Sequence, residues 1–139
     1  MIFSPNSLAW PVALFGLLAG GVRSTLANSA YTPAELAFQY TDSRARVVFS
    51  HPDLVPVVLS MFKIVGVSED EARRRLVVLD FYGNGSEIAR KFGLLELADL
   101  LGRGALPQEE KFTGPQVDET QLLCYSSGTT GKPKGVEVC

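Results

Sequence analysis

From Leu8 to Ala19 the chain is apolar almost without interruption, and the run ends at Gly20-Gly21. A run of this length predicts a helix over 8–19, apolar on all sides and therefore buried. Ser7 is its candidate N-cap, and Pro11 falls in the first turn or so, where a missing N–H costs little. Val22 to Leu26 is a short strand candidate. The next helix carries its own start signal: Thr32 as cap, Pro33 at the first helical position and Glu35 at the third. It should reach about Thr41, with Leu36, Ala37 and Tyr40 sharing one face.

Val47-Val48-Phe49 is apolar without alternation, which predicts a strand over 46–50 buried on both faces, as in parallel sheets. His51-Pro52-Asp53 marks a turn, and Leu54 to about Val65 reads as a second apolar helix. Ser68-Glu69-Asp70-Glu71 can cap a short helical turn. Leu76 to Leu79 is the next strand, ending at Asp80. Phe81 to Ser86 is loop-like, a helix is expected from Leu94 to Leu101, and residues 103–120 form a polar surface connection. The last strand covers 121–126, and none is expected beyond Glu137. Strands alternating with helices predict an α/β fold: a three-layer, parallel or mostly parallel sheet with helices on both faces. Strands 46–50, 76–80 and 121–126 should be parallel neighbours, flanked by helices near 8–19, 33–41 and 54–65.

Composition narrows the function classes. Of 139 residues, 46% are hydrophobic and 20% charged, at a net charge of −2, which is globular rather than disordered. No basic patch suits nucleic acid. Arg73-Arg74-Arg75 follows Glu69-Asp70-Glu71, an order that suits a helix macrodipole on a solvated turn. Cys124 and Cys139 make no disulfide framework; Cys124, within an apolar strand, reads as a buried thiol. One histidine and two distant cysteines give no zinc spacing. The 8–22 stretch is short for a bilayer span and lacks both a preceding basic residue and a cleavage motif. The expectation is an intracellular protein, cytoplasmic or peroxisomal, with no membrane span.

The chemistry concentrates at the end of the chain. The strand 121–125 runs into Ser126-Ser127-Gly128-Thr129-Thr130-Gly131-Lys132-Pro133-Lys134-Gly135-Val136. Glycines let a backbone approach a ligand closely, and consecutive N–H groups in such a loop make an anion-binding concavity. Hydroxyls and lysines add hydrogen bonds and charge. This is the composition of a polyphosphate loop. It is not a Walker A loop: Ser126 stands where the first glycine belongs, and Pro133 where a Ser or Thr should follow the lysine. No dinucleotide-binding glycine fingerprint is present.

The run from Tyr125 to Val136 closely resembles the phosphate-binding signature of the adenylate-forming (AMP-binding) superfamily of acyl-CoA synthetases, luciferases and peptide-synthetase adenylation domains. Phe3-Ser4-Pro5-Asn6-Ser7, Asn28 to Leu36 and Asp42-Ser43-Arg44-Ala45-Arg46-Val47-Val48-Phe49 resemble its coumarate–CoA ligase-like branch. The resemblance covers the whole chain and implies a single partial AMP-binding domain over 1–139, part of an ANL-type N-terminal domain, with the phosphate loop at 125–137. It also implies an activity: a carboxylic acid, the small-molecule partner, is activated with ATP and Mg2+ as an acyl-adenylate and passed to coenzyme A. Ser126, Ser127, Thr129 and Thr130 would bond phosphate oxygens, Gly128 and Gly131 would allow close approach, and Lys134 would add charge. Thr130 is the residue assigned near magnesium. Lys132 falls where the family is variable and is expected in solvent, and Tyr125 and Val136 are expected to pack.

The resemblance further implies segments that this sequence lacks: a histidine-containing segment after the loop, the acyl pocket, the adenine- and ribose-binding residues, the acidic magnesium ligand and a C-terminal lysine. The chain is thus expected to be a slice of a larger enzyme, inactive alone and prone to self-association. The alternative is a small non-catalytic phosphate- or nucleotide-binding module, or an inactive remnant.

Overall fold

The computed structural model describes residues 1–101, 103–108, 111–126 and 133–139. Its strands are β1 (Ile2–Phe3), β2 (Ser24–Ala27), β3 (Val48–Ser50), β4 (Leu76–Val78), β5 (Leu95–Glu96), β6 (Leu122–Ser126) and β7 (Lys134–Val138). The helices are α1 (Ala9–Ala19), α2 (Pro33–Asp42), α3 (Val55–Ile64), α4 (Glu69–Arg75), α5 (Gly85–Phe92) and α6 (Leu97–Leu101), with 3-10 turns at Pro52–Leu54 and Gly114–Asp118. Among the described residues one sheet forms, in the order β5-β4-β3-β1-β2-β6-β7. All its pairings are parallel except β6 with β7.

Side chains alternate across the sheet and divide the core in two. Phe3, Val48 and Val78 face α2, α3 and α5, where they meet Leu36, Val58, Phe62 and Ala89. Ile2, Phe49 and Val77 face α1 and α6, where they meet Ala13, Leu14 and Leu97. This is the expected three-layer arrangement, and the unalternating β3 is buried at every position, as its composition requires.

Local signals explain the best-defined helices. At α2, Thr32 accepts from the Glu35 N–H, and the Glu35 carboxylate accepts from the Thr32 N–H at 2.8 Å, a reciprocal capping box. At α4, Ser68 caps the start, and Arg73, Arg74 and Arg75 pair back to Glu69, Asp70 and Glu71.

Several expectations are corrected. Strands 76–80 and 46–50 are neighbours as β4 and β3, but β6 lies beside β2, separated from β3 by β1 and β2. A strand does follow the loop: β7 returns antiparallel along β6. The helix read over 94–101 divides into β5 and α6, and α5 occupies a segment whose Gly83-Asn84-Gly85 start reads as loop. Ser7 does not cap α1, which starts at Ala9 from Leu8 without a side-chain cap; the Ser7 hydroxyl is buried without a partner. Nor is α1 buried all round. Ala9, Ala13 and Leu14 are covered, but Leu8 and Phe15 are 71% and 65% exposed, because the sheet reaches only one side of the helix. Cys124 is half-buried rather than enclosed. No helix among the described residues is long and apolar enough to cross a membrane.

Candidate functional site

β6 and β7 form a hairpin in register from Leu122↔Val138 to Ser126↔Lys134. Its connection leaves from the carboxyl end of a parallel strand, the end at which doubly wound sheets bind ligands. Of the residues expected to contact phosphate, Ser127, Gly128, Thr129, Thr130 and Gly131 lie outside the described residues, as does Lys132. Ser126 and Lys134 are described. They oppose each other across the hairpin and are both exposed. Directly opposed residues share one face of a strand pair. The Ser126 hydroxyl and the Lys134 ammonium therefore leave the same side at the two roots of the glycine-rich connection. That side is the one on which Leu122, four residues before Ser126, packs toward α1.

Tyr125 points to the other face, toward α2. Its hydroxyl donates to Asp42 Oδ2 at 2.5 Å. Burial first, then the hydrogen bond and the charge of Asp42, push the phenol well above its ordinary pKa. Directly opposite, Gly135 makes room for the ring: a Cβ there would lie 3.1 Å from Tyr125 Cζ and 3.3 Å from its hydroxyl oxygen. Tyr125 therefore does more than pack, which sequence reasoning missed. Its partner lies 83 residues away, and nothing in either segment signals the other.

A second tie joins α2 to this strand. The Thr25 hydroxyl on β2 donates to the Leu123 carbonyl at 2.9 Å and accepts from Gln39 Nε2 at 2.8 Å. Gln39 Nε2 also donates to the Leu26 carbonyl at 3.0 Å. Gln39 is buried, so these bonds replace water that it cannot reach.

Another carboxylate organises the loop after β4. Asp80 accepts from the N–H groups of Phe81, Tyr82, Gly83 and Gly85 at 2.8–3.3 Å. Burial acts to raise its pKa, but the donors Gly85, Tyr82, Phe81 and Gly83 outweigh that and leave it below the usual carboxylate value. At the end of β3, His51 Nδ1 accepts from the Asp53 N–H at 3.3 Å and caps the 3-10 turn, a structural role in keeping with the absence of a nucleophile motif. Among the described residues no three His, Cys, Asp or Glu side chains group as a metal site. A cavity of about 420 Å³ bordered by Arg23, Arg44 and Arg46 opens at the amino ends of the strands, the end opposite the hairpin connection. The glycine-rich signature and its carboxyl-end placement, not that cavity, mark the candidate site.

Comparison with known proteins gives the same family throughout. A family model described as AMP-binding enzyme matches residues 1–138. The 4-coumarate–CoA ligase-like 8 protein of Arabidopsis thaliana is 31% identical over 137 residues, which cover 98% of this chain and 22% of that protein. The benzoate–CoA ligase of Thauera aromatica is 32% identical over 130 residues, or 94% of this chain and 21% of that protein. The solved benzoate CoA ligase of Burkholderia xenovorans LB400 superposes with a TM-score of 0.72 at 26% identity, across 98% of this chain and 23% of that structure. The chain thus spans about a fifth of the length of the relatives it matches. Residues 1–138, with the signature rooted at the carboxyl end of β6, place the chain in the AMP-binding enzyme family.

Proposed function

We propose that this chain is the phosphate-handling segment of an ATP-dependent acid–CoA ligase, which activates a small carboxylic acid as its adenylate before transfer to coenzyme A. The observation that carries the reading is the unbroken run Tyr125–Val136 on the β6–β7 hairpin, with Ser126 and Lys134 opposed at its roots. The donor set fits a polyphosphate: hydroxyls and an ammonium, with no acidic residue between Glu119 and Glu137. ATP would supply the leaving pyrophosphate and the adenylyl group. The chain's own part is electrostatic: it holds the phosphates in place and offsets their charge. Ser127, Thr129 and Thr130 would add hydroxyl bonds, and Gly128 and Gly131 close backbone approach. The described residues offer magnesium no acidic cluster. In this reading Thr130 would be this segment's own candidate near magnesium, beside the nucleotide's phosphate oxygens.

The test uses an intact ligase of the family that carries residues 1–139 as its matching segment, assayed by exchange of labelled pyrophosphate into ATP. Lys134→Ala should remove one charge-assisted contact, about 1.5–3 kcal/mol, or roughly 10- to 150-fold in exchange. Lys132→Ala should change it much less. Equal losses, or a larger one at Lys132, would move the phosphate contact to the other lysine. The 139-residue chain alone should neither turn over ATP nor remain monomeric on size exclusion. Leu8, Val12 and Phe15 expose an apolar stripe on α1 that a second copy can cover. A monomer that binds ATP tightly would favour the small phosphate-binding module instead.

A further inference from the structure

Tyr125 immediately precedes Ser126, the root of the glycine-rich connection, and it is held from two sides. Asp42, the last residue of α2, accepts a hydrogen bond from its hydroxyl. Gly135, its cross-strand partner, provides the gap in which its ring lies. α2 is itself fixed to the sheet one turn earlier through Gln39, Thr25 and the Leu123 carbonyl, two residues before Tyr125. Tyr125 and Gly135 thus join both strands of the hairpin to the end of α2. A side-chain tie between a helix end and the last residues of a strand can set the angle of the hairpin to the parallel strands. We propose that Asp42, Tyr125 and Gly135 form a latch that sets the pose of the phosphate hairpin against α2, with Asp42 as a positioning residue that acts on the reaction through Tyr125.

The assignment rests on the hairpin's role in handling polyphosphate, but the latch can be tested without that role. The raised pKa of Tyr125, which follows from burial and from Asp42, gives it a signature of its own. In the 139-residue chain with 13C-labelled tyrosine, the Tyr125 resonance, identified by its loss in Tyr125→Phe, should titrate above the value of about 10 for a free phenol. Asp42→Ala should bring that titration down and speed hydrogen exchange at the Tyr125 and Gly135 amides. Asp42→Asn, which keeps an acceptor oxygen, should leave exchange close to wild type. A Tyr125 titration identical in wild type and Asp42→Ala would overturn the latch.

The second arm uses the intact ligase carrying residues 1–139. Asp42→Ala and Tyr125→Phe should each raise the KM for ATP at least about threefold, while the KM for the carboxylic acid holds and the double variant does no worse than either single. Multiplying losses in the double variant would show two independent effects and overturn the proposal. Lys134→Ala in the same ligase separates the two ideas. If it leaves pyrophosphate exchange intact, the polyphosphate reading fails; if it abolishes exchange while Asp42→Ala and Tyr125→Phe change nothing, the latch fails alone.

Discussion

Two glycine-rich segments leave the carboxyl end of this sheet, one after β4 and one after β6, and their sequences differ: the first follows an aspartate, whereas the second has no acid. Phe81 to Gly85 turns inward: its N–H groups converge on Asp80, a carboxylate supplied by the chain itself. Both glycines are needed for that closure, since a Cβ at Gly83 would lie 2.5 Å from Asp80 Oδ2 and one at Gly85 2.7 Å from Asp80 Cβ. The β6–β7 connection has no acid of its own and presents a hydroxyl and an ammonium at its roots. A glycine loop with an internal carboxylate has already used its donors. One without a carboxylate still has its anion to find. The presence or absence of that single acidic residue, more than the glycine count, separates a structural loop from a candidate phosphate loop.

The sharpest way to break the comparison is to give the hairpin the acid it lacks. Ser126→Asp places a carboxylate beside the proposed phosphates and removes a hydroxyl donor. At an effective dielectric of about 20 and a separation of ~4 Å, like charges cost on the order of 4 kcal/mol. Pyrophosphate exchange in the intact ligase should therefore fall further than in Lys134→Ala. Because Ser126 is exposed in this chain, the melting temperature of the 139 residues should hold in Ser126→Asp. Unchanged exchange in Ser126→Asp would separate the hairpin root from the phosphates.

The converse change empties the structural loop. Asp80→Ala should destabilise the chain by about 1–2 kcal/mol, since it leaves several N–H donors with only water to bond. Urea denaturation reads the loss, and faster hydrogen exchange confined to 81–85 would locate it. The pH dependence has a definite sign. The folded-state pKa of Asp80 lies below the unfolded value of about 3.9. Its stabilisation is complete above roughly pH 5 and fades as pH falls through the folded value, so the difference between wild type and Asp80→Ala should shrink in acid. A difference that grows below pH 4 would contradict this account of the loop.

How much of this could be read in advance follows from where each signal sits. The start of α2 lies in four consecutive residues, Thr32 to Glu35, and α4 in one block of opposite charges, so both were legible. The buried β3 and β4 were legible from their unbroken apolar runs. β1 and β5 are two residues long, too short for any periodicity. Strand order is set by pairings between distant segments, and no local pattern placed β6 beside β2. In β7, Lys-Gly-Val-Glu-Val alternates weakly around a glycine and reads as a loop's tail; register with β6 makes it a strand. At the candidate site, the signature names residues by type and order, and the two of them that are described, Ser126 and Lys134, lie opposite each other. Asp42 gave no such sign, because its role depends on a helix end meeting a strand 83 residues later.

The smallest expected effect compares the glycines themselves. Gly83 and Gly85 are required by a carboxylate, whereas Gly135 is required by a ring. Alanine in a strand is ordinarily favoured over glycine by roughly 0.5–1 kcal/mol, through the entropy of the unfolded chain. At Gly135 that gain meets a contact of 3.1 Å with Tyr125 Cζ, and the ring must move by a few tenths of an ångström to relieve it. Gly135→Ala should therefore be neutral or destabilising by less than about 1 kcal/mol in the wild-type background. In Tyr125→Ala the ring is gone, and the same substitution should stabilise by the ordinary 0.5–1 kcal/mol or so. Unfolding midpoints of the four chains in urea give the comparison. A change of sign between backgrounds would tie the glycine to the tyrosine. An equal gain in both would mean that the ring never constrained this position, and that Gly135 is kept for the connection it follows rather than for the strand it faces.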